Sequence, residues 1–166
     1  CSQSRGLGDV YKRQLFAEDE FYKNILFEDN YGLEISFEKS FSKSISFNIK
    51  PKFGTEIIRV DAPYQARNTG LGLGIELKPS DEFKLNFRMD QSKSIRFEND
   101  EVVYSDMIAR ARFEYQATTF LNFRLVAQYH RYYNTFDIQP LISYQPGPFS
   151  IFYFGTSRTY DTSFPG

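Results

Sequence analysis

His130 is the only histidine among 166 residues, and any search for chemistry begins there. An imidazole can act as base, acid or metal ligand near neutral pH. Zinc sites draw on several His or Cys ligands, and the sole cysteine is Cys1, so no metal centre is expected. Hydrolysis would need an acid and a nucleophile clustered with the imidazole at a rim. Asp106 and Asp137 are the raw material for the acid, yet no GxSxG elbow occurs and no Ser-His-acid order stands out. A rim hydrolase would require His130 within hydrogen-bond reach of a carboxylate and a hydroxyl. Between Tyr129 and Arg131 near a strand end, His130 reads more simply as a rim residue, and the chain as no enzyme. "GLGLG" at 70–74 lacks the GxGxxG spacing and following helix of a phosphate loop, so no cofactor is expected. Gly72 and Gly74 instead leave room for a large side chain or a plug.

Arginine is the other residue type with chemical potential. Arg88, Arg110, Arg112 and Arg124 share one parity with Glu114. If a turn at 117–119 pairs 112 with 124, and a connection centred near 100 sets Arg88 opposite Arg112, three arginines form a row across neighbouring strands. A single-sign ring of this kind tunes which ions pass a pore. Against it, Lys50, Lys78 and Lys84 join the arginines while Glu34, Glu38, Glu76, Asp90, Asp106 and Glu114 oppose them, which describes a mixed, paired cluster. Aromatic strands with basic residues also resemble single-strand nucleic-acid platforms. A net charge of −1 argues for no polyanion, and so for no nucleic-acid partner.

These side chains must be carried on strands. In "LGLGIELKPSDEFKLNFRMD", residues 71–90, Leu71, Leu73, Ile75 and Leu77 answer Phe83, Leu85, Phe87 and Met89 at every second position. Period-2 alternation is the signature of a strand with two unlike faces. It begins at Gly32 and recurs at 44–50, 106–115, with Phe113, at 121–130, with Leu121, Phe123 and Leu125, and at 137–145. A last strand, "SIFYFGTSRTY", is apolar on both parities. The chain holds 18 Phe and 12 Tyr, residues that fit a half-buried pleated surface. The expectation is an all-β antiparallel up-and-down meander of about eight long strands over 32–160. Residues 15–31 show no clean period and read as a loop, and 54–69 as a long mixed connection. Short turns fall near 41, 80, 118 and 147, with longer connections between them.

Mean hydropathy is −0.48 and no run of 18 apolar residues occurs, which excludes a transmembrane helix but not a membrane strand. Ten residues tilted by ~45° cover about 23 Å, close to the ~25 Å apolar band of an outer-membrane barrel. Aromatics gather at Phe53, Phe83, Tyr115, Phe120, Tyr133, Phe136, Tyr144 and Phe149, as interfacial girdles do. On this reading Leu71, Leu73, Ile75, Leu77, Leu85, Phe87, Phe113, Leu121, Phe123 and Leu125 face lipid. Arg88, Arg110, Arg112, Arg124 and Glu114 then face a lumen. A soluble, lipocalin-like barrel taking an apolar ligand predicts the reverse: the apolar face inside, the charges outside.

Two end segments stand apart. "CSQSRGLGDVYKRQ" resembles translated sequencing-adapter sequence, so residues 1–14 are set aside from the fold, and 1–31 as a whole is expected to be artefact, disorder or loop. "TSRTYDTSFPG" reads as the start of a loop, placed at 161–166, so the strands are expected to be a fragment of a larger barrel. "DIQPLISYQPGPFSIFYFGTSRTYD" resembles the end of the C-terminal β-barrel of a group of Gram-negative outer-membrane proteins, a domain of unknown function. In that group the barrel follows a domain resembling a family-nine carbohydrate-binding module. The resemblance covers roughly 30–160 in pattern and is sharp over 137–160. It implies a cell outer membrane location, the lipid bilayer as partner, one further strand, and a carbohydrate role carried by a domain outside this chain. TonB-dependent receptor barrels are the nearest competing family.

Overall fold

The computed structural model describes residues 10–23 and 25–162, and among them there is strand and turn but no helix. The strands are β1 (Val10–Tyr22), β2 (Ile25–Ser42), β3 (Ile45–Ile58), β4 (Tyr64–Leu77), β5 (Phe83–Arg96), β6 (Val102–Gln116), β7 (Leu121–His130), β8 (Thr135–Gly147), β9 (Ser150–Gly155) and β10 (Arg158–Asp161). Each of β1 to β8 pairs antiparallel with the next in one sheet. β9 and β10 both lie against β8 in a single register, since Leu141 opposes Gly155 and Ile138 opposes Arg158. They are one strand line interrupted at Thr156 and Ser157. The interruption faces Pro140, whose carbonyl accepts the Thr156 N–H at 3.2 Å but which has no N–H to return. Pro51 has the same effect inside the sheet: the β2–β3 ladder is broken between Glu34–Lys52 and Phe37–Ile49.

An all-β antiparallel meander is what the alternation predicted. Several of its boundaries are corrected. Residues 15–31, expected as a loop, form most of the β1–β2 hairpin, and 10–14 of the segment set aside also lie in β1, opposite Glu34–Glu38. A register shift between Glu18 and Glu20 breaks the period there and hid the hairpin. Residues 1–9 lie outside the described residues. At the other end, Asp161 closes β10, while 163–166 lie outside the described residues.

The long connection at 54–69 shrinks to 59–63, because β3 and β4 continue past the apolar rows as strands of mixed polarity without clean alternation. With it goes the expected division into short turns and long loops. Connections at one end span 43–44, 78–82, 117–120 and 148–149; at the other, 23–24, 59–63, 97–101 and 131–134. The two ends are alike. In the 78–82 turn the Glu82 carboxyl is held below the usual range by the Ser80 hydroxyl and its own backbone N–H.

Register sorts the side chains into rows, since directly opposed residues share a face. One row reads Ile45–Leu77–Leu85–Phe113–Leu125–Pro140, and the next Phe47–Ile75–Phe87–Ala111–Ala127–Ile138. Phe83 meets Phe113 edge-on, with ring centroids 4.7 Å apart. Among the described residues no second layer covers this face: Ile75 is 39% exposed, Phe113 37% and Leu125 41%. Phe53, expected near a strand end, instead marks the level where the rows turn polar, at Phe53–Thr69–Lys93–Ser105.

The residues that are buried sit mostly on the other, charged face: Ala66, Ser94, Asp106 and Val126. A single hollow of about 500 Å³ there touches Glu38 on β2 and Arg112 on β6. Four strand spacings would put those elements ~19 Å apart in a flat sheet, so the sheet curls towards its charged side. The curl stays open. β1 and the β9–β10 line are not paired with each other.

Candidate functional site

The charged face is built from the alternate positions of every strand from β2 to β8, and its centre is a band of arginine. Arg88 on β5 stands directly opposite Arg110 on β6. Arg112 opposes Asn86 on one side and Val126 on the other, and Arg124 on β7 opposes Glu114. All four arginines and Glu114 therefore share a face, as alternation required. The row expected through Arg88, Arg112 and Arg124 does not form. Both turns are centred one residue away from the assumed points, which slides each pairing by two residues and leaves faces intact but changes partners.

Carboxylates neutralise part of this band. Glu76 holds two cations, with Lys78 Nζ and Lys84 Nζ each 3.1 Å from one of its oxygens. Lys52 Nζ is 3.0 Å from Glu34 Oε2. Arg112 donates to Glu114 Oε1 through Nε, at 3.1 Å, and through Nη2. The side chains of Arg88, Arg110 and Arg124 have no ion pair or hydrogen bond among the described residues. Two hollows flank them. The first, about 500 Å³, is lined by Gly74, Arg88, Arg110 and Arg112, and the second, about 610 Å³, by Arg110, Arg112, Arg124, Tyr153 and Ser157.

His130 lies at the far end of the same face, opposite Ile108. Its Nδ1 is 3.5 Å from Asp106 Oδ1, too long for a hydrogen bond, and is buried with no partner. That oxygen is already engaged. Asp106 Oδ1 accepts the N–H of Met107 at 2.7 Å and of Tyr132 at 3.1 Å, and Oδ2 accepts the Tyr104 hydroxyl at 3.2 Å. The carboxylate is a cap for the β7–β8 turn, where Tyr132 and Tyr133 pack edge to face and Tyr133 lies against the His130 ring. The imidazole thus has a carboxylate beside it, but the hydroxyl present binds that carboxylate rather than the ring. Asp137, the other acid considered, accepts the Thr159 hydroxyl at 2.5 Å across β8–β10. Among the described residues no cluster of His, Cys, Asp and Glu could hold a metal ion.

One polar network escaped the sequence reading. Ser94 donates to Glu56 Oε1, and Asn68 Nδ2 donates to Glu56 Oε2 at 2.7 Å and to Ser94 Oγ at 3.2 Å. Ser94 is fully buried. These residues come from stretches of β3, β4 and β5 that carry no apolar alternation, so only the register brings them together. The expected lipid-facing residues, from Leu71 to Leu125, fall together on the uncovered face.

Comparison with known proteins returned no match: no family model, no curated protein and no solved structure aligns with this chain.

Proposed function

We propose that these strands are consecutive staves of an outer-membrane β-barrel, serving as a membrane anchor or passive conduit. The observation that carries this reading is the uncovered apolar face. Side chains such as Ile75, Phe113 and Leu125 stay more than a third exposed, with no further layer of the described residues over them. In water an expanse of that kind is a liability, whereas against hydrocarbon it provides insertion. A soluble barrel binding an apolar ligand needs those side chains inside the curl, where this sheet carries its charges. Strand length adds support, since β3, β4 and β5 each run 14 residues against the usual ~5–6. At their longest, Met107–Tyr115 on β6, the apolar positions extend over nine residues, or ~21 Å at a 45° tilt.

Topology fits a larger barrel. β1 and the β9–β10 line run in the same direction, so antiparallel closure takes at least one further strand. Among the described residues no helix is long and apolar enough to cross a membrane. The resemblance of 137–160 to barrels that follow a carbohydrate-binding-module-like domain adds a role in holding such a domain at the outer membrane. A TonB-dependent receptor barrel is the competing assignment, and the two predict the same lipid face.

Cysteines placed singly at Phe87 and Asn86, in a chain with Cys1 replaced by Ser and folded into vesicles, test the reading. A fluorophore at 87 is expected to be quenched by a lipid-borne quencher, and one at 86 by an aqueous quencher. The opposite pattern would sink it.

A further inference from the structure

Arg88 and Arg110 are an arrangement that folding alone disfavours. Directly opposed antiparallel residues hold their Cα atoms about 4.5–5.5 Å apart, and like charges so placed repel. Most other cations near them on this face are answered: Lys78 and Lys84 by Glu76, Lys52 by Glu34, Arg112 by Glu114. Arg88 and Arg110 are not, and neither is Arg124, among the described residues. Their row neighbours do not help, because Gly74 lies beside Arg88 and Gln128 beside Arg110. Gly74 also removes the side chain that would fill the floor. A Cβ there would meet Asn48 at no closer than 3.5 Å, so a larger residue has room and the space is left bare. Arg110 and Arg112 line both hollows, so the two adjoin at this pair, with Arg88 in the wall of one and Arg124 in the wall of the other.

We propose that Arg88 and Arg110 form a binding site for the oxyanion group of a small solute, a phosphate, sulfate or carboxylate, with Arg124 positioned to take a second anionic group of the same molecule. Guanidinium groups suit this because their planar forks bind oxyanions through two parallel hydrogen bonds, which a lysine cannot do. An oxyanion seated between the two arginines would convert their repulsion into two charge-assisted contacts. Tyr153 and Ser157 bring hydroxyl donors to the second hollow. The site rests on the barrel reading for one point only, that this face lines a water-filled lumen through which the solute arrives.

The test uses inorganic pyrophosphate and the full chain, folded in detergent micelles. Titration calorimetry is expected to give saturable binding, weakened at least tenfold by Arg88→Gln with Arg110→Gln. Lys52→Gln, which removes a cation already paired with Glu34, should change affinity less than threefold. A variant-free measurement accompanies it: pyrophosphate should protect Arg88 and Arg110 from a dicarbonyl arginine reagent while leaving Arg59, outside the strands, reactive. Absence of saturable binding, equal losses for the Lys52 and arginine variants, or equal protection of Arg59 would each overturn the proposal. Failure of the barrel reading looks different. A chain that folds in plain buffer and still binds pyrophosphate through Arg88 and Arg110 keeps the site and loses the membrane. A chain that inserts into vesicles yet binds no pyrophosphate does the reverse.

Discussion

Gly54 lies so close beneath the carbonyl oxygen of Tyr31 that a Cβ on it would collide with that atom and stand only 3.0 Å from the Gly32 Cα. The β2–β3 ladder reaches its last rung at Gly32–Gly54, and beyond it the Tyr31 N–H turns to the Thr55 hydroxyl at 3.0 Å. Two glycines facing each other let one strand swing across the other. Backbone dihedrals are not the cause, since no described glycine has a positive φ.

Gly54→Ala should therefore destabilise the fold, by about 1–3 kcal/mol, because the atom in the way is backbone and cannot step aside. Gly74→Ala is the control. Its Cβ meets only ordinary contacts, so the change should be neutral or stabilise by up to about 1 kcal/mol through the unfolded chain. Urea midpoints in one micelle system would compare them, and equal effects would refute the account of Gly54.

A lysine at Leu73 or Phe87 should cost ~2–4 kcal/mol in a bilayer, and a lysine at Asn86 far less. Phe87 and Asn86 are sequence neighbours on opposite faces, so propensity and position along the strand are nearly constant between them. Reversible unfolding from lipid vesicles reads the difference. Equal tolerance would contradict the lipid-facing assignment.

Asp106 should matter more than His130. Asp106→Ala leaves two backbone N–H groups without their acceptor at a nearly buried site, a loss of about 1–3 kcal/mol. Asp106→Asn, which keeps an oxygen there, should lose less. His130→Gln removes a ring whose Nδ1 has no hydrogen-bond partner and should cost under about 1 kcal/mol. Hydrogen exchange at the Tyr132 amide would report on the cap directly, with acceleration in Asp106→Ala and none in His130→Gln.

Glu82 should titrate below an ordinary glutamate, because the Ser80 hydroxyl and its own N–H stabilise the charged form. A carboxyl lowered by folding contributes stability above its unfolded pKa and loses it as pH falls through the folded one. The turn should loosen in that acid window. NMR titration would locate the midpoint, and Ser80→Ala should move it upward; an unmoved midpoint would refute the hydroxyl's role.

What could be read before folding, and what could not, divides along one physical line. Alternation assigns faces, because successive side chains on a strand point opposite ways whatever the partner. Hence Leu73, Phe87 and Phe123 could be grouped on one side, and Arg88, Arg110, Arg112 and Arg124 on the other, from residue types alone. The same alternation is blind to a slip of two, which restores every face while replacing every neighbour. That is why Arg88 was expected beside Arg112 and stands beside Arg110. It is also blind where polarity is mixed or a bulge breaks the count, so the β1–β2 hairpin and the upper reaches of β3 and β4 passed for loop, and Glu56, Asn68 and Ser94 gave no sign of meeting.

The chain's own order of residues thus determined an antiparallel sheet with a greasy side and a charged side. The direction of curl, the pairing of like charges at its centre and the engagement of Asp106 with backbone rather than imidazole were decided only in three dimensions. Those depend on turn geometry and on the close approach of particular atoms, neither of which a two-residue period encodes.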